Sequence, residues 1–391
     1  MKQILIGLFI IIYLWLTPIS SFAQNDSCNL RISLLTCSPG EELYSTWGHT
    51  AIRVTDSTQG MDMVFNYGTF DDSDPNFYLK FTRGIMIYAL SAYPFSDFLM
   101  EYRVQQRGII EQTLLLNCAD KASLFNALLI NNTDSNRFYN YYFHTDNCTT
   151  RARDMIVKNT RSPVLFKNIF PGKAPTFRQL IHIYLDKYDQ YWNKFGIDLL
   201  LGSNLDKKVT NEQAMFLPDY LLKGLDNGFI NNQPLVYQKQ TILDIPLLQH
   251  SRPWFLPTKF FLYLFSIIIV LSLLNKRWSQ KTLRVFDGLF FLFIGLAGLL
   301  MAILWIIRVD TVCRNNFNLL WAWPTHLPIA FVLYKKRNWI RNYFRVALII
   351  NSLLILTWFF LPQELNVSLI LVILLIIFRS WQLLKQNSHS V

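Results

Sequence analysis

Two stretches of the chain contain residue types that could form a nucleophile and its base. His49 lies in WGHTAIRV, which reads as a strand. Cys148 lies in DNCTTRARD, where Asp146 and Asn147 are good N-cap residues for a helix that begins at the cysteine. The dipole of such a helix lowers the pKa of a thiol at its N-terminus, and Arg151 adds positive charge nearby. The pattern predicts a thiolate, with a structural or disulfide-bonded cysteine as the alternative.

His49 begins a segment in which side chains alternate between two faces. His49, Ala51 and Arg53 share one face of the predicted strand. A strand histidine can reach the N-terminus of a helix packed against its sheet, although a structural histidine is the alternative for this residue on its own. A sheet histidine with a helix-start cysteine is the thiolate–imidazolium layout of papain-like enzymes, here in reversed chain order.

A third group is needed to orient the imidazole ring. Asn66, on the next predicted strand VFNYGTF, is the candidate, and Asp71 and Asp72 are alternatives. An oxyanion hole could combine the backbone N–H of the cysteine with a side chain such as Ser45 or Tyr44. No GxSxG motif occurs, so the sequence offers no serine nucleophile of that type.

The first residues carry the pattern of a Sec-type signal peptide. A charge at Lys2 precedes an apolar run, and a stretch of small residues ends at Ala23. We therefore predict a signal peptide over residues 1–23, with an uncleaved anchor helix as the alternative. An exported domain follows over residues 24–250.

Long apolar stretches predict a transmembrane domain over residues 258–384. Each stretch is close to the length that a membrane-crossing helix needs. The five predicted spans are 260–274, 285–307, 317–334, 344–361 and 365–378.

The distribution of charge orients these spans. Residues from 275 onward carry 13 Lys and Arg against 3 Asp and Glu, which is nearly all of the net charge of +11. Because the basic residues fall in alternate loops, the positive-inside rule places loops 275–284 and 335–345 and the C-terminus in the cytoplasm. The N-terminal domain is then periplasmic. The charge is topological and does not indicate nucleic-acid binding.

The cysteines are all expected on the exported side, where disulfides form. There are five, so at least one thiol is unpaired. Cys28 and Cys37 could close a short loop, but the sequence alone establishes no pairing. CxxC, HExxH and His/Cys clusters at zinc spacing are absent, so we predict neither a metal site nor a cofactor.

The exported domain begins with strands and continues with helices. LRISLLTC, GHTAIRVTD and MVFNYGTF read as strands, and IIEQTLLL as a further one. Helices are predicted around 93–108, 121–129 and from Cys148, and apolar residues at helical spacing run from Phe177 to Trp192. A last helix is predicted over 211–224, and 233–251 is interpreted as the connection to the membrane.

Several motifs together carry a resemblance to a known family. They are SLLTCSPGEELYSTWGHTAIRV, FNYGTFD, PNFYLKFTRG, FHTDNCTTRARD and FLPDYL. With these segments the chain resembles the Lnb-type proteins of Bacteroides-like bacteria over nearly its whole mature length. The resemblance implies an α+β fold, in which a permuted papain-like domain of the NlpC and lecithin:retinol acyltransferase kind precedes the membrane helices.

The resemblance also implies an activity. It is lipoprotein N-acylation in the bacterial inner membrane, with a membrane phospholipid as acyl donor and a lipoprotein N-terminus as acceptor. Gly48 and His49 match the family's GH pair, and Asn147 and Cys148 match its NC pair. Asp72 departs from the pattern, since an aromatic residue is expected there.

Cys148, His49 and Asn66 are thus the predicted catalytic residues. Other residues are expected to contact the substrate: Ser45, Trp47, Tyr67, Asn147, Arg151 and His326. His326 enters this set because an ionisable residue inside a membrane span is a functional candidate, with helix packing as its alternative. Two other functions stay open, a papain-like envelope peptidase or amidase and a non-catalytic envelope sensor.

Overall fold

The computed structural model describes residues 28–70, 75–246, 254–274 and 276–386. The predicted signal peptide, residues 1–23, lies outside these ranges, as do Asp71 and Asp72. Within them, an N-terminal domain of mixed α and β structure is followed by a helical bundle.

A seven-stranded antiparallel sheet forms the centre of the described N-terminal domain. Its strands are β1 (Leu30–Cys37), β2 (His49–Asp56), β3 (Met61–Phe70), β4 (Ile87–Pro94), β5 (Ile109–Leu114), β6 (Phe138–Asn140) and β10 (Val236–Leu243). Their spatial order is β10, β5, β1, β2, β3, β4, β6. Three short strands, β7 (Leu165–Phe166), β8 (Gly228–Ile230) and β9 (Gln233–Pro234), form a separate sheet.

The structure confirms the predicted strands β1, β2, β3 and β5. It corrects the interpretation of 233–251 as a plain connection, because β10 pairs along β5. Sequence analysis missed β4 as well. β10 is an edge strand rich in exposed polar residues, so its sequence lacks the apolar alternation that marks a half-buried strand.

Helices cover the sheet and extend from it. They are α1 (Phe77–Thr82), α2 (Phe95–Val104), α3 (Cys118–Asn131), α4 (Cys148–Lys158), α5 (Phe177–Lys187), α6 (Tyr191–Leu200), α7 (Asn211–Ala214) and α8 (Pro218–Asp226). The main core, which includes Ile32, Ile52 and Phe65, lies between the sheet and α3, α4 and α8. Since α4 packs against β2 and β3, its first residue lies beside the sheet.

Two predicted helices are broken in the structure. The stripe from Phe177 to Trp192 divides into α5 and α6 at a turn where Asp189 has a φ of 54°. The helix predicted over 211–224 divides into α7 and α8 because Pro218 can begin a helix but not continue one.

One disulfide differs from the loop considered in the sequence. Cys28 is bonded to Cys118, at the start of α3, and not to Cys37. Cys37, Cys148 and Cys313 are free, and Cys37 is buried. The first described residues are therefore covalently tied to a helix 90 positions away in the chain.

Four helices among the described residues are long and apolar enough to cross a membrane. They are α9 (Pro257–Leu274), α10 (Arg277–Ile307), α12 (Asn338–Leu356) and α13 (Leu369–Gln386). The third predicted span, 317–334, is not such a helix. It forms a 3-10 turn at Phe317–Leu320, the short helix α11 (His326–Ile329) and further turns. Two prolines, Pro324 and Pro328, lack the N–H groups that a continuous helix needs there.

The segment 317–334 nevertheless runs the length of the bundle, antiparallel to α10. Its backbone packs on Gly298 at residue 322 and on Gly295 at residue 327, and Tyr334 hydrogen-bonds Asp287. Irregular backbone at membrane depth is tolerated only where protein surrounds it. Among the described residues, this segment therefore packs in the bundle alongside the four long helices.

The N-terminal domain is docked on one end of the bundle, called here the near end. Asn318 Nδ2 donates to the Asp198 carbonyl (2.9 Å) and Gln363 Nε2 to the Leu201 carbonyl (2.9 Å). These bonds join the loops at 308–318 and 357–368 to α6. The loop between α9 and α10 lies at the opposite, far end, where Arg284 stacks on Tyr334.

Candidate active site

Asn147 fixes the start of α4 at the cysteine. Its Oδ1 accepts from the N–H groups of Thr149 and Thr150, both at 2.9 Å, and Thr150 Oγ1 accepts from the Asn147 N–H (2.7 Å). This reciprocal capping box stabilises the first helical turn. Cys148 is consequently held at the N-terminus of the helix, where the dipole favours a thiolate.

The amide nitrogen of the same cap is also fully used. Asn147 Nδ2 donates to the carbonyls of Phe143 and Phe216, each at 2.8 Å. All the hydrogen-bonding positions of this buried amide are therefore occupied inside the protein. Asn147 therefore positions the helix, and a substrate contact by this residue stays a prediction.

His49 is the first residue of β2 and lies between Cys148 and Asn66. Its Nε2–H donates to Asn66 Oδ1 (2.7 Å), and the ring also hydrogen-bonds the Cys148 sulfur. Since Nε2 is committed to the amide, Nδ1 is the nitrogen that faces the thiol. The structure thus brings together the three residues predicted to be catalytic.

Two glycines, one before the histidine and one against its ring, occupy positions where a side chain would not fit. Gly48 has a φ of 82°, which L-residues rarely adopt, and a Cβ on it would lie 2.7 Å from the Cys37 carbonyl oxygen. A Cβ on Gly68 would lie 2.6 Å from His49 Cε1. Sequence analysis identified the first glycine through its GH motif but not the second, which approaches His49 only through strand pairing.

Asn66 is itself oriented by two bonds. Its Oδ1 accepts from the Gly68 N–H (2.8 Å) and its Nδ2 donates to the Tyr93 hydroxyl (3.0 Å). These contacts aim the carbonyl oxygen at His49. Tyr93, on the strand missed by sequence analysis, was not predicted.

Electrostatics favour an ion pair between the thiol and the imidazole. Burial raises the pKa of Cys148, but the charge of His49 and then hydrogen bonds, including one from the Thr50 N–H, outweigh it and lower that pKa. Burial lowers the pKa of His49, whereas the negative charge of Cys148 and the bond to Asn66 raise it. A thiolate beside an imidazolium is a nucleophile with its proton donor already in place.

Two family models match the chain. The model described as the Lnb N-terminal periplasmic domain covers residues 20–182, and the model described as the Lnb transmembrane domain covers residues 249–389. The chain belongs to the Lnb family. No curated protein and no solved structure matches it. His49, Asn66 and Cys148 all lie in the first matched region of this Lnb protein.

The side chains predicted for an oxyanion hole are placed differently in the Lnb protein. Ser45 is buried, and its hydroxyl donates within its own turn to the Glu42 carbonyl (2.9 Å). Tyr44 exposes 70% of its surface to solvent. The Cys148 N–H belongs to the first turn of α4, whose N–H groups have no intrahelical acceptor. It is therefore the oxyanion donor that the local structure supports.

Two residues predicted to contact the substrate make contacts within the domain. Tyr67 is 1% exposed and its hydroxyl donates to Asn131 Oδ1 (2.7 Å) in the core. Arg151 pairs with both carboxylate oxygens of Asp146 (2.7 and 2.8 Å) and stacks on Tyr139. A substrate contact by either side chain stays a prediction.

Trp47 is partly buried, and its ring meets the edge of Phe143 with centroids 5.0 Å apart. It packs in a cluster with residues of α5 and α8. A substrate contact by this residue stays a prediction.

His326 lies inside the bundle, away from the catalytic cluster. Its Nδ1 accepts from the Tyr343 hydroxyl (2.9 Å) and its Nε2–H donates to the Trp321 carbonyl (3.2 Å). It packs on Phe291, which is roughly 24 Å from the near end of α10 at 1.5 Å per residue. The structure therefore does not bring His326 to Cys148, and every ring nitrogen has a partner within the bundle.

Sequence analysis also missed an aromatic wall beside the thiol. Tyr88 and Tyr141 stack with ring centroids 4.3 Å apart and pack in the same cluster as Cys148. Burial and then the charge of Cys148 raise the pKa of Tyr88 to about 12. Tyr88 belongs to β4. Because that strand was not predicted from the sequence, the position of Tyr88 beside the thiol was not predicted either.

Proposed function

We propose that this Lnb protein is a lipoprotein N-acyltransferase that moves an acyl chain from a membrane phospholipid to the N-terminal amine of a lipoprotein. The observation that carries the proposal is the Cys148, His49 and Asn66 cluster, on a domain hydrogen-bonded to a membrane bundle. A site at the end of such a bundle has direct access to lipid esters.

The first step forms a thioester. The Cys148 thiolate attacks the carbonyl carbon of the phospholipid ester, the C–S bond forms, and the C–O bond to glycerol breaks. The imidazolium of His49 gives its proton to the departing glycerol oxygen. A lysophospholipid leaves, and the acyl chain stays on the sulfur.

The second step transfers the chain to nitrogen. The amine of the lipoprotein's diacylglyceryl-cysteine attacks the thioester carbon, and neutral His49 accepts a proton from that amine. The C–S bond breaks and the thiolate leaves, which restores the ion pair. The Cys148 N–H would stabilise the oxyanion in both steps.

We also propose a fold for the N-terminal domain and an orientation for the protein in the membrane. The order of His49 before Cys148, with the cysteine starting a helix against the sheet, supports a permuted papain-like domain. The near end of the bundle would face the periplasm. The far end, with the Lys- and Arg-rich segments 276–284 and 335–345, would face the cytoplasm from the inner membrane.

Mass spectrometry of lipoprotein N-terminal peptides tests the activity. In a strain whose only copy carries Cys148→Ala, we expect these peptides to lose the N-acyl group, while Cys313→Ala, at another free cysteine, retains it. Immunoblots must show equal amounts of both variants. Unchanged N-acylation in the Cys148→Ala strain would exclude the proposal. Accumulated envelope peptides with normal acylation would indicate a peptidase or amidase instead, and full function of Cys148→Ser a non-catalytic role.

A further inference from the structure

An apolar groove runs along the edge of the sheet beside the catalytic cluster. Its volume is about 320 Å³, within the usual range of ligand pockets. The lining residues that matter here are Phe70, Phe81, Ile87, Tyr88, Ala89 and Phe138. Exposed apolar side chains clustered in this way are typical of a binding surface.

The inner end of the groove is lined by aromatic rings that continue into the core cluster containing Cys148. Phe70 and Tyr88 have ring centroids 5.1 Å apart, and Tyr88 stacks in turn on Tyr141 in the Cys148 cluster. Gly68, which lies against the His49 ring, precedes Phe70 by two residues on β3. The two residues are therefore about 7 Å apart along the strand. The aromatic wall is therefore continuous from the groove to the nucleophile.

The outer end of the groove lies at the near end of the bundle. Arg308, directly after α10, donates from Nη1 to the Phe81 carbonyl (3.0 Å), and the Val309 N–H donates to the Arg83 carbonyl (3.0 Å). Phe81 and Ile87 are each about half exposed, at 49% and 48%. The groove thus opens where a membrane-crossing helix leaves the bilayer.

Two cationic side chains line the same groove, Lys80 and Arg137. Arg137 Nη1 lies 3.7 Å from the exposed carboxylate of Asp134, whereas its Nε is buried without a hydrogen-bond partner among the described residues. Positively charged side chains beside an apolar groove complement the phosphate of a lipid headgroup. The combination of apolar walls and cations favours a lipid over a peptide.

We propose that this groove binds the acyl chain of the phospholipid donor, with the ester carbonyl at Cys148 and the chain directed toward the membrane. The proposal rests on the acyltransferase function and assigns its chain-binding site. Ile87, Phe81 and Phe138 then set which chain lengths are accepted.

Chain-length selectivity tests the groove. Full-length protein in detergent is incubated with 4-nitrophenyl butanoate or 4-nitrophenyl palmitate, and the acyl adduct on Cys148 is measured by mass spectrometry. We expect Ile87→Trp to keep wild-type butanoylation and to lose palmitoylation about tenfold, the effect of excluding roughly two methylene groups from apolar contact. Leu165→Trp, at an exposed aliphatic on β7 of the separate sheet, is the matched control and should resemble wild type.

Phe138→Ser is a second variant. It removes an exposed aromatic side chain from the wall of the groove without adding bulk. It should also lower palmitoylation selectively. An unchanged ratio of the two adducts in both variants, or an equal loss of both adducts, would overturn the groove as the chain site. Such results would leave the acyltransferase proposal standing.

Binding of cis-parinaric acid, a fluorescent fatty acid, separates the two proposals. If wild-type protein forms neither adduct but binds the fatty acid, and Ile87→Trp weakens that binding, the groove is supported and the thioester mechanism is not. Equal binding by wild type, Ile87→Trp and Leu165→Trp would overturn the groove independently of any chemistry.

Discussion

His49 lowers the pKa of the Cys148 thiol more than any other group does, against a burial effect that raises it. We therefore predict that His49→Ala slows alkylation of Cys148 by iodoacetamide at pH 7 by at least about tenfold, since each unit of pKa changes the thiolate fraction tenfold. Peptide mapping after timed alkylation measures the rate at this cysteine separately from Cys37 and Cys313.

His144→Gln is the control for that experiment. His144 packs edge-on against Phe177 and does not contribute to the pKa of Cys148, so its replacement should leave the rate unchanged. An equal rate in wild type and His49→Ala would contradict the ion pair.

Asn66 acts on the histidine and, through it, on the pH dependence. Its hydrogen bond raises the pKa of His49, so Asn66→Ala should lower that pKa. Thioester formation needs the imidazolium as proton donor, so the rate falls as pH rises through the pKa of His49. We predict that this falling limb moves to lower pH in Asn66→Ala, measured as the single-turnover rate of Cys148 acylation against pH.

Tyr93→Phe refines the Asn66 experiment. It removes only the acceptor that orients the Asn66 amide, so the falling limb should move in the same direction by a smaller amount. If neither variant moves the limb, Asn66 does not position the histidine.

Residue type and local context were enough to select Cys148, His49 and Asn66, because a helix start and a strand start are visible in the sequence. They were not enough for Gly68, whose contact with His49 depends on how two strands pair. For Asn147 and Arg151, closeness in sequence to the nucleophile did not reveal the capping box and the ion pair that the structure shows, and a substrate contact by either residue stays a prediction.

At the scale of elements, the irregular crossing 317–334 depends on two glycines of α10. A Cβ on Gly295 or Gly298 would overlap the backbone of Leu327 or Ala322. We predict that Gly298→Ala destabilises the protein by about 1–3 kcal/mol, the usual cost of overpacking. Thermal unfolding of the full chain in detergent measures this effect.

Gly288→Ala is the matched control on the same helix. Its Cβ would meet only the Ala330 carbonyl oxygen, at an ordinary 3.8 Å. Alanine favours a helix over glycine, so stability should be unchanged or slightly higher. Equal melting temperatures for Gly298→Ala and Gly288→Ala would show that the close approach is not needed.

The predicted elements failed where tertiary packing overrides local pattern. Apolar composition alone predicted a helix over 317–334, but the two prolines interrupt it. The glycines of α10 lack side chains, so the irregular backbone can pack directly against that helix. The polar sequence of β10 likewise becomes a strand because β5 offers it an edge. Neither partner is visible from the segment's own sequence.

At the scale of the molecule, the sequence predicted that an N-terminal domain precedes a membrane region, but it predicted five spanning helices where the described residues form four. It could not predict how the two are joined, because the joining bonds connect residues more than a hundred positions apart, as between Gln363 and Leu201. That joint decides which face of the domain meets the bilayer.

Replacing Arg308 tests whether the contact between the N-terminal domain and the bundle matters for function. Arg308 pairs with Asp310 and donates to the Phe81 carbonyl of α1, so it ties the outer end of the groove to α10. We predict that Arg308→Gln lowers acyl transfer from phospholipid vesicles several-fold and leaves iodoacetamide alkylation of Cys148 unchanged, because the ion pair with His49 does not involve this residue. Arg314→Gln changes an exposed arginine of the same loop and should alter neither rate. If Arg308→Gln lowered both rates in parallel, Arg308 would be needed for the stability of the site itself. Unchanged activity on vesicles would show that the catalytic domain reaches its lipid substrate without this anchor.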